Sequence, residues 1–425
     1  MDNPRKVAAL VLQKIERDGA FSNLTLAEQL KNRNLTDKDK ALVSALVYGV
    51  LDRKITLDYV LSRFVKTPIE KTAPFTLQVL RTALYQIMYM DKIPESAAVN
   101  EAVKLVKNSK ESRNSGFVNG VLRSVLRTQI SLPEGEDINS LKVRYSCPEW
   151  IINSFVKDYG LENTKAILAE SLKTPPLTVR VNTLVCDLGT IKREFENQGV
   201  SFSDGICQNS LDIHKGIDIT KNELYINGSI FVQDAASQSA IAVLAPKPGE
   251  RVLDMCAAPG GKSFTMACLM ENKGEIVACD LHPHRVELIE KSAERLQIKI
   301  IKTKVADATV FDQTLGKFDC ILCDVPCSGL GVMRRKPDIK YNKEHDFKEL
   351  EQIQYKILTN AAKYLKKCGR ILYSTCTLRK AENENLVIRF QKEYNNFHKK
   401  YEHTFMTHLD GTDGFYCALL TDSKN

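Results

Sequence analysis

The 425-residue chain has no apolar run approaching the roughly 18 residues that a membrane-spanning helix needs. It also has no apolar signal core at its start, since Met1-Asp2-Asn3-Pro4-Arg5-Lys6 leads into a charged amphipathic pattern. These two absences point to a soluble, cytoplasmic protein without a membrane partner. Internal repeats and low-complexity tracts are missing too, which excludes solenoids and fibrous arrays. Zinc-site spacing is incomplete: Cys320, Cys323 and Cys327 have no second CxxC or His pair to join them. Cys320 and Cys323 also fall in a strand-like run, where an odd separation sends side chains to opposite faces. No metal is expected. The twelve cysteines, scattered along a long intracellular-type chain, read as reduced core fillers with one or two reactive members.

What is present describes a multidomain globular protein. Hydrophobic residues at 43% and charged residues at 26% exclude a disordered or collagen-like chain, and the length exceeds what one core organises. The net charge of +8 is uneven: residues 1–140 hold 21 Lys and Arg against 16 Asp and Glu, the remainder 39 against 36. A basic excess of this kind suits a polyanionic partner such as RNA, whose phosphates dominate affinity.

Apolar periodicity near 3.6 predicts helices through residues 4–128, including Leu57–Phe64, Thr76–Met90, Ala97–Val106 and Phe117–Leu126. The polar stretch Ser131–Asp137, with Pro133 and Gly135, marks a linker, so the first domain is placed at residues 1–134. Residues 142–235 read as a small α+β module. It has helices over Pro148–Tyr159 and Leu161–Leu172, a strand at Leu177–Asn182, a helix near Leu188–Gln198 and β-like segments at Val200–Ser203 and Leu224–Val232. From residue 236 to 425, strand-like runs (Arg251–Cys256, Glu275–Asp280, Ile300–Val305, Phe318–Val325, Gly369–Thr375) alternate with helical ones, predicting a parallel α/β sheet. Tyr401–Leu409 and Phe415–Leu420 flank a Gly-rich turn and predict an antiparallel hairpin.

The first predicted strand of that domain ends in Asp254-Met255-Cys256-Ala257-Ala258-Pro259-Gly260-Gly261-Lys262-Ser263 and opens into a helix. Glycines let backbone approach a ligand, and a helix start offers N–H groups to it. A nucleotide P-loop would need glycine where Cys256 stands, and a GxGxxG dinucleotide turn does not fit Gly260-Gly261. Asp280, Asp307 and Asp324 end the next three strands, where open α/β sheets bind ligands. Carboxylates with a Gly turn and no phosphate clamp suit a nucleoside-bearing cofactor, and S-adenosylmethionine is the natural candidate. Asp280 is placed to accept from ribose hydroxyls and Asp307 to reach an adenine amino group. Two cysteines then follow strand ends beside this crevice, Cys327 in Asp324-Val325-Pro326-Cys327-Ser328-Gly329 and Cys376 in Tyr373-Ser374-Thr375-Cys376-Thr377.

These three motifs resemble the RNA cytosine-5 methyltransferase family, and within it the bacterial small-subunit ribosomal RNA enzymes of the Sun/Fmu group. Asn100-Glu101-Ala102-Val103 and Gly116–Leu122 are similar to NusB sequence. The resemblance implies an all-α NusB-like RNA-binding domain, a small RNA-contacting α+β module and a Rossmann-like class I S-adenosylmethionine-dependent methyltransferase domain. It implies methylation of carbon 5 of an unpaired or flipped cytosine in 16S rRNA by a protein expected to act as a monomer, with Cys376 as nucleophile adding to carbon 6. Cys327 then serves product release and Asp324 the N3/N4 edge of the base. Cys256, Ala257, Ala258, Pro259, Gly260, Gly261, Lys262, Asp280, Asp307 and Asp324 form the cofactor site. Related DNA enzymes take their nucleophile from the Pro-Cys position, so the residues alone do not rank the two thiols. Two rivals stand beside this reading: a non-catalytic NusB-like assembly or antitermination factor, and an amino-group methyltransferase. Intact Cys327 and Cys376 oppose the first, and the lack of an aromatic in Asp324-Val325-Pro326-Cys327 opposes the second. The basic stretch Met333-Arg334-Arg335-Lys336-Pro337 is a candidate phosphate clamp. Arg180 and Asn182 share a strand face that resembles positions near the substrate.

Overall fold

The computed structural model describes residues 2–19, 22–215, 217–342 and 346–422. Eight helices come first: α1 (Pro4–Asp18), α2 (Ser22–Lys31), α3 (Asp37–Ser62), α4 (Pro74–Tyr89), α5 (Glu95–Lys107), α6 (Ser115–Leu126), α7 (Ile138–Arg144) and α8 (Glu149–Ser171). Their ends follow local chemistry. The Asn3 side chain accepts from the N–H groups of Arg5 and Lys6, Pro4 presets the first turn, and Gly19 at φ 59° stops α1. The expected separate helix at Leu57–Phe64 is the end of α3, which runs unbroken for 26 residues. Gly49 lies inside it because a Cβ there would stand 2.1 Å from the Tyr85 ring of α4. The two helices expected at 148–172 are the halves of α8, divided at Gly160 with φ 77°.

This helical unit extends beyond the Ser131–Asp137 connection, as far as Lys173, and also takes in Met333–Asn342. The reason is polar as well as apolar. Thr56 Oγ1 donates to Val143 O at 2.6 Å and the Ile55 N–H to Ser146 Oγ at 3.1 Å, which ties α7 to α3. Lys340, fully buried, donates to Asp52 Oδ1 at 2.7 Å and Asp52 O at 3.0 Å, and Tyr341 OH donates to Leu51 O at 2.7 Å. The basic stretch at 333–337 is therefore no solvated loop. Met333 and Pro337 are buried, Arg334 and Arg335 half-buried, and Lys336 is the one exposed member.

The second unit holds Thr174–Val332 and the chain after Asn342. Strands β1 (Leu177–Val181), β2 (Ser201–Asp204), β3 (Ser210–Lys215) and β4 (Ile230–Val232) form an antiparallel sheet in the order β2-β3-β1-β4. Ile191 and Phe195 of the helix Leu188–Asn197 pack on Val179, Val181, Leu211 and Ile213. Two details differ from the sequence reading. Strand β3 was not foreseen, and Glu223–Ile226 is a helical turn capped by the Asn222 side chain, where a strand was expected.

Strands β5 (Arg251–Asp254), β6 (Glu275–Asp280), β7 (Ile301–Val305), β8 (Phe318–Asp324), β9 (Leu365–Thr375), β10 (His398–Phe405) and β11 (Phe415–Thr421) form one sheet in the order β10-β11-β9-β8-β5-β6-β7. The first five are mutually parallel; β11 joins β9, and β10 joins β11, antiparallel, as the expected hairpin. This is a Rossmann-like sheet. Strand order reverses at β5, which lies between β6 and β8, so a ligand crevice opens beyond the carboxyl ends of these strands. Cys320 and Leu322 enter the core on one face, Ile321 and Cys323 that on the other, as the odd spacing predicts. Among the described residues no group of three His, Cys, Asp or Glu is arranged to hold a metal, and no helix is long and apolar enough to cross a membrane.

Arg180 and Asn182 are buried. Arg180 Nη1 donates to Gln238 Oε1 at 2.9 Å. Asn182 Nδ2 donates to Gly228 O at 2.9 Å and to Leu296 O at 2.8 Å, while its Oδ1 accepts from the Leu184 N–H at 3.2 Å. One side chain thus joins the small sheet to the helix Pro283–Arg295 of the large one. Asn182→Ala strands these buried partners, so the urea midpoint of this unit should fall by the equivalent of about 2 kcal/mol. An unchanged midpoint would show that Asn182 is not the tie.

Candidate active site

The Gly turn is fixed from below. Met255 N–H donates to Leu322 O at 3.0 Å and Ala257 N–H to Cys279 O at 2.7 Å, so the segment between β5 and the helix Gly261–Leu269 is laced to both neighbouring strands. Gly260 adopts φ 107°, and a Cβ there would stand 2.3 Å from the Phe264 ring; position and packing both require glycine. Ala257 is buried, Ala258 half-buried and Pro259 exposed at the crest. Cys256 is half-buried, and burial pushes its thiol well above the ordinary range, so it stays protonated.

The carboxylates do different work. Asp254 at the end of β5 is buried; its Oδ2 accepts from Ser263 Oγ at 2.6 Å, whereas its Oδ1 has no protein partner of good geometry. Asp280 at the end of β6 is also buried and accepts from the Ala258 N–H at 3.2 Å and the His282 N–H at 3.3 Å, with Arg285 Nη1 at 3.4 Å. The residue read as a ribose acceptor therefore also holds the Gly turn. Asp307 is exposed past β7, its Oδ1 engaged by the N–H and hydroxyl of Thr309 at 2.8 and 2.7 Å; its bonds stay within its own turn. Asp324 at the end of β8 bonds on both oxygens, to Lys262 Nζ at 2.8 Å and to Ser374 Oγ at 2.8 Å.

Lys262 is not the surface residue that a helix start suggests. Its Nζ sits between Asp324 and the Phe415 ring, 5.2 Å from the centroid. Burial works against its charge, but Asp324 outweighs burial, with Cys376 and Asp254 adding, and the ammonium is held above its ordinary range. The two cysteines lie beside this pair, with Cys327 Sγ 3.1 Å from Cys376 Sγ. Cys327 is pushed well above the thiol range, by its hydrogen bond to Cys376 first and by burial second. Either sulfur can donate in this contact, and the raised Cys327 thiol resists ionisation.

The structure thus brings Lys262, Asp324, Cys327 and Cys376 into one cluster, reached by the Gly turn, while Asp280 braces that turn and Asp307 stands apart. Residues that sequence reasoning did not select complete the cluster. Ser374 and Asp254 lay in the quoted stretches and could have been found from their place at strand ends. Glu382 and Asn383 carry no spacing signal. Glu382, fully buried, accepts from Ser328 N–H at 2.9 Å, Ser328 Oγ at 2.5 Å, Gln354 Nε2 at 2.8 Å and Arg379 Nη1 at 3.0 Å. Asn383 bonds Thr375 Oγ1 at 2.6 Å and Thr377 O at 2.9 Å, on either side of Cys376. Gly331 N–H donates to Cys376 O at 3.0 Å and Gly414 N–H to Gly331 O at 2.9 Å, an approach so close that a Cβ on Gly331 would stand 1.9 Å from Gly414 O.

Comparison with known proteins places this site in a family context. A family model described as 16S rRNA methyltransferase RsmB/F matches residues 241–421, the NusB family matches residues 2–127, and a Methyltr_RsmF/B-like, ferredoxin-like domain matches residues 147–220. The chain is 38% identical to the probable ribosomal RNA small subunit methyltransferase B of Bacillus subtilis, covering 98% of each. It is 30% identical to ribosomal RNA small subunit methyltransferase B of Proteus mirabilis, again over 98% of each. The crystal structure of NSun6 from Pyrococcus horikoshii with SFG shares the fold, with a TM-score of 0.61 at 21% identity, covering 65% of this chain and 99% of that one.

Burial raises the Asp254 carboxyl from 3.8 to about 7. A carboxyl raised on folding is protonated in the native state where the unfolded chain has already ionised. Its contribution is therefore present below about pH 4 and lost as pH rises toward 7. Asp254→Asn keeps a neutral group throughout, so the difference in stability between variant and parent should grow in the variant's favour across that window. Parallel pH profiles of urea unfolding would contradict the assigned protonation.

Proposed function

The chain belongs to the 16S rRNA methyltransferase RsmB/F family, and from that premise we propose that it methylates carbon 5 of a specific cytosine in 16S rRNA through a covalent adduct on Cys376. The observation that carries this reading is the pair of thiols 3.1 Å apart beside the Lys262–Asp324 ion pair. A site for amino-group methylation needs no nucleophilic thiol, and a non-catalytic scaffold needs no thiol pair.

The residues around the Gly turn fit S-adenosylmethionine, which supplies an electrophilic methyl group when bound. Lys262 is committed to Asp324 and so is unavailable as a phosphate clamp. Gln233 Nε2, buried and without a protein partner of good geometry, lies 3.9 Å from where a Cβ on Gly261 would stand, a donor kept beside the turn. The proposed cofactor site is Cys256, Ala257, Ala258, Pro259, Gly260, Gly261 and Lys262, with Asp280 toward the ribose, Asp307 toward the adenine and Asp324 at the reacting end. SFG, an S-adenosylmethionine analogue, accompanies the NSun6 structure, which is consistent with this assignment.

Carbon 5 of cytosine is a poor nucleophile until a group adds to carbon 6. In the proposed sequence the Cys376 thiolate forms the bond to carbon 6, its charge favoured by Lys262. Asp324 faces the N3/N4 edge and supports protonation of the ring as the thiol adds. After carbon 5 has gained its methyl group, Cys327 serves the step in which the carbon-5 proton leaves and the bond to Cys376 breaks, returning the electron pair to the sulfur. The base must be unpaired or flipped to reach these groups. The helical domain at 1–134 and the module at 142–235 are proposed to hold the RNA, and residues 236–425 to carry out the transfer. The protein is proposed to act as a monomer in the cytoplasm.

Substituting each cysteine separates their roles. With 16S rRNA and S-adenosylmethionine, Cys376→Ser should form no protein–RNA adduct, because the hydroxyl does not readily yield the attacking anion. Cys327→Ser should accumulate an adduct that survives denaturing gel electrophoresis. Capture by Cys376→Ser and none by Cys327→Ser would move the nucleophile to the Pro-Cys loop.

A further inference from the structure

Two adjacent residues in the loop after β9 reach the two thiol-bearing segments separately. Glu382 takes the first: its carboxylate receives both the backbone N–H and the hydroxyl of Ser328, the residue that follows Cys327. Asn383 takes the second: it accepts from Thr375 Oγ1 and donates to Thr377 O, the residues that flank Cys376. A hydrogen bond between Ser328 Oγ and Thr377 Oγ1, 2.7 Å, closes the ring between the two segments. The dipeptide is itself anchored, since Tyr373 OH, within β9, donates to Glu382 O at 2.6 Å.

We propose that Glu382 and Asn383 are positioning residues that set the separation of Cys327 and Cys376, an inference that rests on the functional reading of the two thiols given above. A buried carboxylate is tolerated where every lone pair is met by a donor, and the four donors on Glu382 come from three different elements. Arg379 neutralises it and is held in turn by Glu351 Oε1 at 3.3 Å, on the helix Asp346–Tyr364. The arrangement is rigid because each partner is itself bonded elsewhere: Gln354 Nε2 also donates to Pro326 O at 2.9 Å, directly ahead of Cys327. The hydrogen bonds of Glu382 and Asn383 go to the residues beside the two cysteines, so they act through the geometry of those segments. The cofactor turn is braced separately, by Leu322, Cys279 and Asp280, and so should survive their loss.

Phenylarsine oxide, which bridges two thiols only when they lie close together, measures this spacing in the full-length protein without RNA or methyl transfer. Mass spectrometry of the digested product identifies the bridged pair. The native protein should show a Cys327–Cys376 bridge. In Glu382→Gln and Asn383→Ala bridging should slow by about tenfold, and kcat on 16S rRNA should fall by about 100-fold at unchanged KM, as expected for a misplacement near 1 Å. Calorimetric affinity for S-adenosylmethionine should stay within about twofold of the native value in both, which separates lost spacing from a collapsed site. Bridging at the native rate in both variants would overturn the proposal. Should Glu382→Gln fail to fold, Ser328→Ala, which removes a single hydroxyl from the same ring, decides by the same measurement. Native bridging that slows in the variants, together with a protein that transfers no methyl group to RNA, would remove the functional reading and leave the positioning role standing.

Discussion

Two sulfur atoms 3.1 Å apart, sitting beside an ion pair, are the constraint around which the second unit is arranged. Thiols at that distance must arrive from neighbouring strands, and the parallel pairing of β8 with β9 supplies them, with Asp324 in register with Ser374. The hydrogen bond to Cys376 and burial both raise the Cys327 thiol, while Lys262 lies where it favours charge on Cys376. The same lysine is withheld from phosphate chemistry by Asp324.

Much of the geometry of the cluster was legible in the sequence because it depends on strand ends. Apolar runs ending in Asp254, Asp280 and Asp324 located three parallel strands, and odd spacing put Cys320 and Cys323 on opposite faces. The same logic placed Cys327 and Cys376 together. What escaped was set by tertiary contact. Glu382 and Asn383 sit in a polar stretch with no period, and their importance lies in partners 3 to 54 residues away. Arg180 and Asn182 lie on one strand face, but alternation does not say whether that face meets solvent or another element; Leu296 and Gln238 cover it.

The packing units are divided differently from the family matches at residues 2–127, 147–220 and 241–421. Ser131–Asp137 has the composition of a linker and is irregular, yet Thr56 and Ser146 carry the helical unit past it to Lys173. The ferredoxin-like match at 147–220 spans this point, so the family's sequence unit and the chain's packing unit differ here. Likewise the basic stretch at 333–337 reads by its charges as a candidate phosphate clamp, and the burial of Lys340 on Asp52 binds its segment into the helical unit. Charge runs in a sequence reveal neither a buried counter-ion nor the element that carries it.

Release of tritium from 16S rRNA carrying [5-3H]cytidine tests the central claim most directly, because transfer to carbon 5 must expel the hydrogen held there. The account predicts that the protein, given S-adenosylmethionine, releases tritium to water in step with methyl incorporation into the RNA, and that both vanish in Cys376→Ser. Methyl incorporation with the tritium retained would place the methyl group on another atom and contradict the account.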